Sequence, residues 1–229
     1  MSFTLDRVVP WGRSFPEYCQ MFNLTATDLQ CSIVGCGDGP AGFNSELTRR
    51  GGQVVSVDPL YAFSGNEIQR RIEATFTEVL EKTRRNRHEF VWRAIASPEQ
   101  LGRVRMAAME QFLADFEAGL ATGRYVVGGL PNLPFPDGRF DLALCSHFLF
   151  LYAEQFDREF HLAAIYEMLR VAPEVRIFPL LELGTRPSRH LEPVLTALAA
   201  TNLRVDVEPV SYEFQQGGNQ MLRIRRNSC

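Results

Sequence analysis

Residues Cys31 to Asp58 read CSIVGCGDGPAGFNSELTRRGGQVVSVD, and the fold follows from them. Apolar Ile33 and Val34 run into Gly35, Gly37 and Gly39, so a strand ends where the backbone needs unusual torsions or a close approach to a ligand. Pro40 suits the first turn of a helix, Phe43 and Leu47 recur at helical spacing, and Arg49 and Arg50 complement its negative end. Gly51 stops that helix, and Val54, Val55 and Val57 make a second strand with Asp58 at its carboxyl end. The unit is β-α-β, with parallel strands and a right-handed crossover. Ligands of such sheets sit beyond the carboxyl ends of the strands, where both the glycines and Asp58 fall.

Outward from this unit, residues 1–30 hold a serine cap, Ser14-Phe15-Pro16-Glu17, and a helix face of Phe15, Tyr18 and Phe22. Trp11 and Arg13 just before it are candidates for a lid. After Asp58, residues 62–122 are helical in pattern where a plain repeat needs far fewer. Ser64 with Glu67 and Ser97 with Pro98 open helices there, and three helices are expected. Two readings stand for this insertion: it covers the mouth of a site and selects a substrate, or it thickens one face of the sheet. Its nine basic and nine acidic residues make the Arg84, Arg85, Arg87 cluster a solvated face rather than a phosphate site. Tyr125 to Val127 is a strand, and Asp141 to Cys145 is an almost wholly apolar one, as in a sheet covered on both faces. A helix, a strand over Val175 to Phe178 and a helix over roughly 188–200 follow. Leu203, Val205, Val207 and then Leu222, Ile224 alternate as an antiparallel hairpin.

The whole chain of 229 residues reads as one domain. Its 45% apolar and 22% charged residues are those of an ordinary globule, and a net charge of −3 draws it to neither nucleic acid nor membrane. No apolar run approaches a membrane span and no leader pattern opens the chain, so a cytoplasmic protein is expected. The five cysteines, at 19, 31, 36, 145 and 229, lack metal-ligand spacing and read as reduced thiols. No metal site is expected from the scattered His88, His161 and His190.

The glycine turn could serve two ligands. A dinucleotide fold wants GxGxxG, and here Pro40 stands at the third glycine; only the shifted frame Gly37, Gly39, Gly42 matches. Asp38 would repel a pyrophosphate by a few kcal/mol at an effective dielectric of ~20. It would tolerate a ligand bearing a sulfonium and an ammonium group. Asp58 can accept hydrogen bonds from both hydroxyls of a ribose, or cap the turn before Pro59.

GCGDGP after the first strand, Asp58 after the second and LPFPDGRFDLALCSH before and along the fourth resemble the class I S-adenosylmethionine-dependent methyltransferases, from about Cys31 to the terminal hairpin. The resemblance implies an α/β, Rossmann-like fold with a mostly parallel sheet, a C-terminal antiparallel hairpin and a helical insertion after the second strand. It implies S-adenosylmethionine as methyl donor, approached by Gly35, Cys36, Gly37 and Asp38, held at its ribose by Asp58 beside Pro59, and bordered by Gly129, Leu130 and Ser146. Two positions depart from the family pattern: Ile33 and Gly128-Gly129 stand where acids are usual.

Methyl transfer is an in-line displacement in which alignment supplies much of the catalysis. Where the acceptor must lose a proton, His147, just past the fourth strand, is the best-placed base. Its alternative is a histidine that only lines the pocket. Tyr152 and Trp92 are candidates for stacking on a planar acceptor. The leading expectation is therefore a methyltransferase with a small-molecule acceptor. Alternatives are a non-catalytic protein that binds S-adenosylmethionine or S-adenosylhomocysteine, and a nicotinamide-dependent oxidoreductase, which Asp38 and the hairpin disfavour. The sequence specifies neither the acceptor nor the oligomeric state.

Overall fold

The computed structural model describes residues 3, 5 and 8–226. Seven strands form one sheet in the order β3-β2-β1-β4-β5-β7-β6. Strands β1 (Ser32–Cys36), β2 (Gln53–Val57), β3 (Tyr125–Val126), β4 (Leu142–Ser146) and β5 (Glu174–Phe178) are parallel. The hairpin of β6 (Leu203–Pro209) and β7 (Gln220–Arg226) completes the sheet, β7 pairing antiparallel with both β5 and β6. The β1/β2 register sets Gly35 beside Ser56 and Cys36 beside Val57, so both strands end level, next to the turn that follows β1.

Period-two alternation divides the buried residues between two faces. On one, Val34, Cys36, Ala143, Cys145, Val175 and Ile177 pack under α5 (Arg158–Val171) and α6 (Leu191–Ala199). On the other, Ile33, Val54, Leu142 and Leu144 meet Tyr18, Met21 and Phe22 of α1 and its C-cap, and Phe43 and Leu47 of α2. Helix α1 spans Phe15–Met21 and α2 spans Phe43–Arg49. Pro40 therefore lies before α2 rather than in its first turn, because the glycine bend runs on to Gly42.

The insertion after β2 holds two long helices, α3 (Gly65–Arg85) and α4 (Pro98–Ala121), rather than the three expected, with a 3-10 turn at Arg87–Glu89 between them. Ser64 and Glu67 form the capping box of α3, and the Ser97 hydroxyl accepts from the Gln100 amide at the start of α4. Ile68 and Ile72 of α3 and Met109, Phe112 and Phe116 of α4 enclose Tyr61 and Tyr125. A buried ion pair, Arg105 Nη1 to Glu17 at 2.7 Å, ties α4 to α1, and Glu17 also closes the capping box of α1 with Ser14. No helix among the described residues is long and apolar enough to cross a membrane. Cys19, Cys31, Cys36 and Cys145 are free thiols, and Cys229 lies outside the described residues.

Candidate functional site

Where β1 ends, Gly37 and Gly39 take φ of +69° and +53°, the left-handed region that favours glycine. A Cβ on Gly37 would come to 3.0 Å of the Phe148 ring, so a side chain there would also fill the space above the turn. Asp58, leaving β2, points its carboxylate at this bend: Oδ2 accepts from the Gly39 amide at 2.8 Å and Oδ1 from the Leu60 amide at 2.8 Å. The Tyr61 hydroxyl donates to the Gly39 carbonyl at 2.7 Å. The ends of β1 and β2 are thus one clamped unit. Burial raises the Asp58 pKa, while the two amides work in the opposite direction.

Asp38 turns back rather than out. Its Oδ1 accepts from the Tyr18 hydroxyl at 2.8 Å and its Oδ2 from the Ser56 hydroxyl at 2.6 Å. The carboxylate occupies the space that a Cβ on Gly35 would need, which explains the glycine at that strand position. Burial pushes its pKa up to about 6 against the two hydroxyl donors, and Asp58 adds to the rise.

These groups form one end of a cavity of about 630 Å³. Gly37, Asp38, Asp58, Pro59, Gly129, Leu130, Ser146 and His147 all line it. Gly35 and Cys36 do not: Gly35 faces the Asp38 carboxylate, and Cys36 sits in the core with Val34 and Val57. At the end of β3 the chain crosses close to β2. A Cβ on Gly128 would stand 3.0 Å from Val57 and one on Gly129 3.3 Å from Pro59, so the position that is acidic in the resembled family has little room for a side chain.

Ser146 closes β4, and its hydroxyl lies 3.0 Å from His147 Nδ1. His147 itself has φ +52°, held there by its amide, which donates to the Phe178 carbonyl at 2.6 Å. A non-glycine residue in that region is strained, and the strain directs the imidazole into the cavity. Burial, reinforced by Arg13 and Arg105, holds its pKa well below the ordinary value, so the ring is neutral at neutral pH.

The far end of the cavity is apolar and assembled from remote pieces of chain. Trp11, Phe63, Phe90, Phe148, Phe156 and Phe214 are among the residues that line the cavity. Residues before α1 form a strap across it: the Val9 amide donates to the Tyr152 hydroxyl, Gln155 donates to the Leu5 carbonyl, and Trp11 packs on Phe76 of α3. A Cβ on Gly12 would run into the Pro40 carbonyl, and the Gly42 amide donates to the Arg13 carbonyl at 2.9 Å, so the strap lies directly on the glycine turn. Trp11 and Arg13, the lid candidates, are in the wall, as is Tyr152. Trp92 is not; it packs edge-on against Phe90 and Phe214 and donates to the Arg87 carbonyl. Sequence reasoning missed Tyr18 as a partner of Asp38, and Phe148, whose position one residue past His147 was the available signal.

The chain is 31% identical over 224 residues to the uncharacterized protein MJ0045 of Methanocaldococcus jannaschii, covering 97% of this chain and 98% of that one. It belongs to the same family as that archaeal protein. No family profile matches the chain. Among solved structures, the mitomycin 7-O-methyltransferase MmcR is similar, with a TM-score of 0.50 at 14% identity, over 93% of this chain and 54% of that one. The chain thus spans about half the length of MmcR. Magnesium protoporphyrin IX methyltransferase (ChlM) from Synechocystis PCC 6803 with bound SAH aligns with a TM-score of 0.48 at 15% identity, over 88% of this chain and 76% of that one. The fold is that of the class I S-adenosylmethionine-dependent methyltransferases, and the mostly parallel sheet ending in an antiparallel hairpin is the architecture the sequence led us to expect.

Proposed function

We propose that residues 1–229 act as a single methyltransferase domain that uses S-adenosylmethionine to methylate a small-molecule acceptor. The observation that carries this reading is the Asp58 carboxylate, aimed at the glycine bend and open to the cavity on the other side. Each of its oxygens spends one lone pair on a backbone amide, which leaves acceptor capacity for a pair of ribose hydroxyls. Gly37 and Gly39 let the backbone approach the amino-acid portion of the donor. Gly129 and Leu130, with Pro59, flank the space for the adenine. Ser146 and His147 mark the methyl end. Asp38, filling the region above Gly35, places a carboxyl group next to the position where the resembled family carries an acid and this chain has Ile33.

When bound, the donor supplies an electrophilic methyl group on a positively charged sulfur. The residues of this chain align and enclose: the strap and insertion exclude water, and the aromatic wall orients the acceptor. The neutral His147 ring offers a hydrogen bond at the reacting end. The oxidoreductase alternative is disfavoured by the antiparallel β6–β7 hairpin that ends the sheet.

Calorimetric titration with S-adenosylhomocysteine tests the reading. The wild type is expected to bind, and Asp58→Ala to weaken binding by roughly 10- to 100-fold, the loss of charged hydrogen bonds worth about 1.5–3 kcal/mol. Equal affinity of the two proteins removes Asp58 from the site. Binding without methyl transfer to any acceptor in a broad panel would favour a non-catalytic protein.

A further inference from the structure

The cavity wall holds one buried charge, Arg13, where the strap meets the glycine turn. Arg13 Nη1 donates to the Trp11 carbonyl, but its Nε is buried and has no hydrogen-bond partner. No carboxylate among the described residues pairs with it. The acid whose charge acts on it is Glu17, and Glu17 is already taken: Arg105 Nη1 lies at 2.7 Å from one of its oxygens, and the Tyr212 hydroxyl donates to the other at 2.9 Å. Two guanidinium groups therefore share one carboxylate behind the wall. The Arg13 pKa is pushed down to about 10, by burial and then by Arg105, so the cation stays charged at a cost.

Its charge acts on His147, Tyr152 and Tyr212, which line the cavity together with Phe148 and Leu151. The other charged residues of the lining are Asp38 and Asp58 at the glycine turn and Arg71, an exposed side chain that stacks on Phe63 at 3.8 Å. The remaining polar groups are mostly spoken for. Thr75 and Thr83 donate to carbonyls of their own helix, and the Gln215 amide donates to the Glu182 and Gly184 carbonyls. An apolar, ring-lined cavity with one unpaired buried cation in its wall suits a ligand of opposite character.

Resting on the methyltransferase reading, we infer that the acceptor is a flat apolar molecule carrying an anionic oxygen group, and that Arg13 receives this group. A bidentate carboxylate would satisfy the orphaned Nε and offset the surplus positive charge beside His147. A cationic amine would be repelled from the same place.

The test titrates biphenyl-4-carboxylate and its uncharged amide, biphenyl-4-carboxamide, into the full chain saturated with S-adenosylhomocysteine. The wild type is expected to bind the acid at least tenfold tighter than the amide. Arg13→Gln should bring the acid to the level of the amide and leave the amide unchanged, and Arg13→Lys should keep part of the preference. Equal affinity for acid and amide in the wild type, or no binding of either, overturns the inference whatever the variants do. So does an Arg13→Gln protein that loses S-adenosylhomocysteine affinity while keeping its preference for the acid, since Arg13 would then hold the donor. Failure of the wild type to bind S-adenosylhomocysteine sinks the methyltransferase reading instead. The acid and amide titration on the unloaded protein still decides the role of Arg13 in that case.

Discussion

Asp38 is the residue whose environment has the clearest consequence in solution. Its pKa of about 6 in the folded protein lies above the ordinary 3.8, so the native state keeps a proton that the unfolded chain releases. Stability from this group is fullest at low pH and declines as pH rises through 6. Between pH 4.5 and 7.5 the expected loss is roughly 2 kcal/mol. Asp38→Asn removes the titrating group, so urea unfolding at the two pH values should show the variant gaining that amount relative to wild type. A difference independent of pH would mean the carboxyl titrates normally. Asp58 could be read from the sequence because it directly follows a strand in a β-α-β unit. Asp38 could not be read in full: it looked like a group facing the ligand, and the two hydroxyls that turn it inward come from α1 and from the β1/β2 register.

At the scale of elements, the join between α1 and α4 is a buried ion pair, and its energetics are asymmetric. Removing one partner strands a charge in the core, at a cost of about 3–5 kcal/mol, whereas replacing both is often close to neutral. Arg105→Met should therefore destabilise strongly and let the Glu17 pKa, now about 2 under the influence of Arg105 and Arg13 against burial, rise. The double variant Glu17→Gln, Arg105→Met should recover part of the loss in chemical denaturation, the rest reflecting Arg13 left without the Glu17 charge, and additive losses would show that the two side chains act independently. The lowered Glu17 pKa also gives a sign: its stabilisation is present above pH 4.5 and is lost as pH falls toward 2. The helices themselves were legible from caps and apolar stripes, as at Ser64 with Ile68 and Ile72. Their docking was not, because Glu17 looked complete as a capping-box residue and Arg105 looked like one of nine basic residues balanced by nine acids. A partner 88 positions away leaves no local signal.

The molecule as a whole encloses its cavity with segments that only the sheet topology brings together: the strap before α1, the insertion after β2, and the residues around Phe148 and Phe214. The strands, the helices and the terminal hairpin each leave a local pattern, which is why the mostly parallel sheet was readable, whereas a wall built from four stretches of chain has no periodicity to read. The strap is held by separate side-chain and backbone contacts rather than by a strand ladder. Phe3 packs edge-on against Phe90 at 5.6 Å, and its amide donates to the Glu89 carboxylate at 3.1 and 3.2 Å. Residues 8–14 form neither helix nor strand, so their docking free energy can be lost without unfolding the sheet. Phe3→Ala is accordingly expected to change global stability by less than about 1 kcal/mol, well below the roughly 3–5 kcal/mol of a core phenylalanine, because the strap lifts before the sheet responds. Hydrogen exchange should show the Val9 amide, which donates to Tyr152, losing protection at least tenfold while amides of β1 and β4 keep theirs. A matching loss in the central strands would make the strap part of the cooperative core, and the cavity would then be closed by the fold itself rather than by a segment laid across it.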